Sequence, residues 1–177
     1  MLYIAFLRGI NVGGRLAKMQ HLRELFSELG LAKVRSYIQT GNIFFEAPDE
    51  DRFKLQTRIE EHLAKALGYD VPVFLRTIDE LEAVVAHNPF EKIEVTADMR
   101  CCVMFLDSPA KSMPLPLFSD KKDLQILDTR GTEAYVIWHI INGRPPSSPT
   151  FLEQHLGVRN TTRFYHTLVK ILEAAKN

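Results

Sequence analysis

An apolar run, Leu2–Leu7, feeds directly into Arg8-Gly9-Ile10-Asn11-Val12-Gly13-Gly14, and a helical pattern comes next. A strand that passes through a glycine loop into a helix admits few folds, because the chain must turn back over its own sheet within a short loop. The run is apolar enough to be buried on both faces. Lys18–Leu29 then sets Met19, Leu22, Leu25, Phe26 and Leu29 on one stripe, with Gly30 as the stop. Val34–Gln39 and Asn42–Glu46 read as strands across Thr40-Gly41, a two-residue hairpin signal. Asp51–Leu67 carries Leu55, Ile59, Leu63 and Leu67 at four-residue steps and ends at Gly68. Val71–Arg76 is a fourth strand. Thr77 and Glu80 form a capping-box pattern for a helix through Ala86, stopped by Asn88-Pro89.

The order β-α-β-β-α-β over residues 2–76 is the ferredoxin-like split βαβ pattern. The rest of the chain reads as a degenerate second copy. Met99–Leu106 is a strand, Pro114–Asp120 a short helix or turn, and Asp123–Thr129 with Glu133–Ile140 a hairpin across Arg130-Gly131. A Pro/Ser-rich loop, Asn142–Pro149, leads to a helix over Thr150–Leu156 and a last helix from Thr162 to about Ala175. The expected fold is therefore α+β. A ferredoxin-like subdomain occupies residues 1–87, and a second α+β subdomain, residues 98–177, packs on it and ends in helices.

Composition narrows the class. In 177 residues, 46% are hydrophobic and 25% charged, which excludes disordered and collagen-like chains. No apolar run reaches membrane-spanning length, and the start lacks a signal peptide's basic flank and cleavage site, so a cytoplasmic location is expected. Cys101 and Cys102 are adjacent and on a strand point to opposite faces, so they predict a core thiol and its neighbour rather than a disulfide. The histidines show no metal-ligand spacing. Net charge is zero, yet residues 1–45 carry six Lys/Arg against two Asp/Glu, and residues 46–107 carry seven against fourteen. A neutral whole argues against strong non-specific nucleic-acid binding but allows a local anion site.

The topology brings two loops to one place. In a split βαβ unit the exit of the first strand, Gly9–Gly14, and the turn Gln39–Asn42 lie at the same end of the sheet. Glycines permit close approach of backbone N–H groups to an anion, and a helix N-terminus adds positive potential. The spacing from Gly9 to Gly14 approaches a phosphate-binding P-loop, but Arg15 stands for its lysine and Leu16 for its metal-binding hydroxyl, so nucleotide hydrolysis is not expected. Arg8 offers a planar fork for carboxylate or phosphate, or a clamp on the loop. Gln39, Thr40 and Asn42 are hydrogen-bonders on the facing turn, or simply turn chemistry. Arg163 opposes the dipole if it opens the last helix, which points to a tertiary or ligand contact. Tyr37, Phe44 and Arg35 on the sheet face opposite the helices offer an alternative nucleic-acid surface, although Asn42–Glu46 lacks the signature of an RNA-recognition module.

Tyr3–Gly14 (YIAFLRGINVGG), Tyr37–Phe45 (YIQTGNIFF), Val71–Thr77 (VPVFLRT), Asn88-Pro89-Phe90 and Thr161–Lys170 (TTRFYHTLVK) together resemble a bacterial family catalogued as domain of unknown function 1697, DUF1697. The resemblance spans nearly the whole chain. The closing motif departs from the family's usual Asn-Trp-Asn after Thr-Thr-Arg, with Phe164, Tyr165 and His166 in those places. It implies an α+β protein of ferredoxin-like character and no particular activity. The functional expectation is a small anionic ligand, a phosphate among the candidates, held by Arg8, Gly9, Asn11, Gly13, Gly14, Gln39, Thr40 and Asn42, with Arg163 from the second half. No residue stands out as nucleophile or general base. The alternatives are the nucleic-acid module and a self-associating structural protein.

Overall fold

The computed structural model describes residues 1–177, apart from the side chain of Pro149. The chain forms an α+β structure of two compact units, Met1–Glu82 with Ile171–Asn177, and Ala83–Lys170. Among the described residues no helix is long and apolar enough to cross a membrane.

The first unit runs β1 (Leu2–Leu7), α1 (Met19–Glu28), β2 (Ala32–Ser36), β3 (Asn42–Glu46), α2 (Arg52–Leu67) and β4 (Val73–Thr77). Its sheet has the order β2-β3-β1-β4 with every neighbouring pair antiparallel. β1 and β2 therefore run the same way with β3 between them. Strand alternation sends Tyr3, Ala5 and Leu7 to one face, where Ile43, Phe45, Val73 and Leu75 join them. Leu22, Leu25 and Phe26 of α1 and Leu55, Ile59 and Leu63 of α2 close this core, as their helical spacing requires. Asp51 caps α2 by accepting from the Lys54 N–H at 2.9 Å, and Gly68 ends it in the left-handed conformation.

The opposite face carries Ile4, Phe6, Phe44 and Phe74, all buried. Arg35 lies 5.0 Å over the Phe44 ring and donates to the carbonyls of Ala174 and Ala175 at 2.7 and 2.6 Å. Those carbonyls belong to the last turn of the C-terminal helix, which a cation stabilises.

The helix after β4, α3 (Ile78–His87), begins at the expected capping box. The Thr77 N–H donates to Glu80 at 2.8 Å and the Glu80 N–H to the Thr77 hydroxyl at 3.2 Å. Burial of Glu80 would raise its carboxyl, but the Arg52 and Thr77 hydrogen bonds win and hold it below the ordinary value.

The second unit contains β5 (Met99–Leu106), β6 (Leu117–Phe118), β7 (Leu124–Arg130), β8 (Glu133–His139), α4 (Pro149–Leu156), β9 (Asn160–Phe164) and the start of α5 (Tyr165–Lys176). Its antiparallel sheet has the order β6-β7-β8-β5-β9. Without the short β6, the order β7-β8-β5-β9 repeats β2-β3-β1-β4. The register repeats too: Ile4 pairs with Phe44 and Arg76, and Val103 with Tyr135 and Arg163.

Two expectations for this unit change in detail. Pro114–Asp120, expected as a short helix or turn, forms no helix: it bends at Leu115-Pro116, runs extended through β6 and turns at Asp120, because its alternating prolines and leucines cannot sustain helical hydrogen bonds. Thr162 and Arg163 do not open the last helix. They lie in β9, where β-branched Thr161 and Thr162 pair with β5, and the helix starts at Tyr165. Arg163, a strand residue, opposes no helix dipole.

Asp123, buried ahead of β7, pins the Pro/Ser-rich loop. Its carboxylate accepts from the Ser119 hydroxyl at 2.7 Å, the Ser147 N–H at 2.9 Å and the Ser148 hydroxyl at 3.2 Å. Burial pushes the acid upward, but these donors outweigh it and leave the carboxyl below its ordinary value. A depressed folded value means the stabilisation is present above the unfolded value and is lost as pH falls through the folded one. Asp123→Ala should cost about 2–3 kcal/mol near neutral pH in denaturant unfolding, with the gap to wild type narrowing below about pH 4.

Candidate functional site

The loop after β1 is bent by four left-handed residues: Gly9 (φ +75°), Asn11 (+61°), Gly13 (+60°) and Gly14 (+82°). Asn11 is the non-glycine among them, and asparagine tolerates this region better than most residues. Its side chain joins three segments. The carbonyl oxygen accepts from the Ala17 N–H at 2.9 Å, just ahead of α1, and the amide donates to the Gln39 carbonyl at 3.3 Å. The two loops meet as the topology requires.

Backbone bonds fix the corner on either side. The Leu7 N–H donates to the Gly41 carbonyl at 2.8 Å, and the Arg8 N–H to the Pro72 carbonyl at 2.9 Å. The hairpin is wider than the two-residue Thr40-Gly41 turn expected from sequence. The Tyr37 N–H reaches the Asn42 carbonyl at 3.1 Å, and Ile38 (φ +51°) and Gly41 (φ +72°) make the bends between. Asn42 is fully buried and donates to the Tyr37 carbonyl and the Thr40 hydroxyl, so both side chains work inside the turn.

A cleft of about 450 Å³ opens where these segments meet α1. Asn11, Leu16, Ala17 and Lys18 wall it from the loop, Met19, Gln20 and Arg23 from the helix, Ser36 from the end of β2, and Ile38 and Gln39 from the turn that follows. Its charged lining side chains are Lys18 and Arg23. Arg23 is oriented by donating to the Ser36 hydroxyl at 2.7 Å. Lys18, the N-cap residue of α1, makes no side-chain capping bond to the first-turn N–H groups, which have no intrahelical partners.

Of the residues expected at the site, Asn11 and Gln39 line this cleft. Arg8, half-buried at the end of β1, and Gly9, Gly13, Gly14, Thr40 and Asn42 are not in its wall. Arg15 stacks over the Tyr69 ring at 4.4 Å, beside Gly9. Arg163 belongs to the second unit, buried in β9, where it donates to the Thr161 hydroxyl at 3.0 Å and the Thr162 carbonyl at 2.8 Å. Burial pulls its guanidinium down to about 10. Lys18, Arg23, Ser36 and Ile38 were not singled out by sequence reasoning. The only signal for the two cations was the basic bias of residues 1–45.

The family model described as "Protein of unknown function (DUF1697)" matches residues 1–135, from β1 through most of the β7–β8 hairpin. The chain belongs to the DUF1697 family. A solved structure of the conserved bacterial protein SP0830 from Streptococcus pneumoniae is similar at a TM-score of 0.68 and 23% identity, over 99% of this chain and 98% of that one. At that identity the likeness speaks for the fold alone. No curated protein sequence matches the chain.

Other candidate chemistry in this DUF1697 chain is weaker. Both cysteines are free, and burial pushes both thiols up, which suppresses thiolate reactivity. Among the described residues no group of three or more His, Cys, Asp or Glu is placed to hold a metal ion.

The corner tolerates little change at Gly41. A Cβ there would sit 3.0 Å from Leu7 Cβ and 3.5 Å from Ile10 Cγ1, on a left-handed backbone. Gly41→Ala is expected to destabilise the protein by about 1–3 kcal/mol in urea unfolding, whereas Gly14→Ala meets no atom within 4 Å and carries only the backbone strain.

Proposed function

We propose that the first unit binds a small anion, a phosphate group in particular, in the cleft between the glycine loop, α1 and the β2–β3 turn. The observation that carries this reading is the cleft's charge. Its charged lining side chains are Lys18 and Arg23, with no carboxylate among the lining residues, and the uncapped first turn of α1 adds to the same field. Arg23 is already held by Ser36, so little side-chain freedom is lost when an anion binds. Arg8, Gly9, Gly13 and Gly14 belong to this reading as residues that shape the loop and its potential.

The second unit supplies a comparison. Its corresponding corner repeats the backbone frame, with the Leu106 N–H donating to the Thr132 carbonyl and the Asp107 N–H to the Arg159 carbonyl. There an aspartate stands where the first unit has Arg8, and extended chain takes the place of α1. The glycine loop and its cations are not demands of the fold. A single-strand nucleic-acid reader is less favoured, because Phe44 is 1% exposed and Arg35 is occupied by helix carbonyls.

Inorganic phosphate should raise the melting temperature, saturably, by the equivalent of about 2.7 kcal/mol at roughly one hundred times its dissociation constant. Arg23→Ala should remove most of that shift, and Arg8→Ala should weaken it. No shift with wild-type protein at any phosphate concentration, against a sodium chloride control of equal ionic strength, sinks the reading.

A further inference from the structure

We infer that the ligand is a phosphate monoester carrying an apolar group, and that Leu16 and Ile38 receive that group. The inference rests on the anion reading of the same cleft and adds the class of molecule. Leu16 is 81% exposed, the most exposed of the chain's large apolar side chains, and Ile38 is 44% exposed. Both line the cleft. A single exposed leucine needs no explanation, but two large apolar side chains on separate loops, facing one basic cleft, form a surface with two chemistries. Ile38 holds its place at φ +51°, a conformation that a β-branched side chain strongly resists.

Charge selects the head group. Lys18, Arg23 and the first turn of α1 together present more than one positive charge, which suits a phosphate monoester of about −1.5 to −2 better than a singly charged carboxylate. The volume of about 450 Å³ exceeds what a bare phosphate fills and lies within the range of small-molecule sites. Leu16, Met19 and Ile38 are the apolar surface left for the rest of the molecule.

Calorimetric titration of the full chain with methyl phosphate and with phenyl phosphate separates the two claims, because the probes share a head group and differ in apolar area. Phenyl phosphate should bind about tenfold more tightly, the gain from covering roughly 60 Å² of apolar surface. In Leu16→Ser that preference should fall below about threefold, while the exposed position leaves the melting temperature of the ligand-free protein within about 2 °C of wild type. Equal affinity for the two probes overturns this inference and leaves the anion reading standing. A preference that survives in Leu16→Ser also overturns it, by placing the apolar contact elsewhere. Binding of neither probe overturns both.

Discussion

The hydrogen bond from the Leu7 N–H to the Gly41 carbonyl fixes where the first strand stops and where the β2–β3 turn ends. It spans 2.8 Å, and with Gly41 at φ +72° a Cβ there would sit 3.0 Å from Leu7 Cβ, so this left-handed turn passes β1 only as glycine. The rest of the corner depends on that closeness. Ile10 packs beneath the turn, Asn11 reaches across to Gln39, and its other end sets the approach to α1. The helix then arrives with its first turn open toward the same space. The cleft is a consequence of strand register before it is a collection of side chains.

The same frame appears twice in the chain, filled with different side chains. Register places Arg76 and Arg163 at corresponding positions, and both are buried, each donating to the carbonyl of the residue before it. Arg35 and Asp128 correspond in the same way, and both strands bulge just before them. Each secures a helix end within its own unit. Arg35 donates to the last carbonyls of α5, and Asp128 takes His87, the last residue of α3, at 2.6 Å. In the second unit the hydroxyls of Tyr135 and Tyr165 hold the carbonyls of Val84 and Val85 as well. Opposite charges at one position thus perform one task, because a cation can meet bare carbonyls and a carboxylate needs the histidine.

Most of the first unit was legible in the sequence because period, caps and glycine stops all agreed there. The capping box at Thr77 and Glu80 and the stop at Gly68 are local signals, and the structure has both. The convergence of Gly9–Gly14 with Gln39–Asn42 was legible from topology alone. The cleft's cations were not. Arg23 lies on an amphipathic helix, where an arginine reads as surface charge, and only the position of Ser36 at the end of β2 gives it direction. Arg163 was misread because Thr-Thr-Arg looks like a helix start until β5 is known to lie alongside. Tertiary pairing overrode a local capping signal, and no window of neighbouring residues contains that information.

The two hairpins occupy the same place in their sheets and differ in their turns. In the second unit β7 and β8 are joined by the two residues Gly131 and Thr132, closed by the Arg130–Glu133 pair. A tight turn satisfies the sheet there, with glycine alone taking the left-handed conformation. The corresponding β2–β3 connection is longer, and it holds an exposed isoleucine in a conformation that costs on the order of 1–3 kcal/mol. The frame around both turns is otherwise the same, so the sheet does not require this strain. On the proposed reading the strain serves to present Ile38 and Gln39 to the cleft, which is the physical reason to look for a ligand at this corner and not at its counterpart.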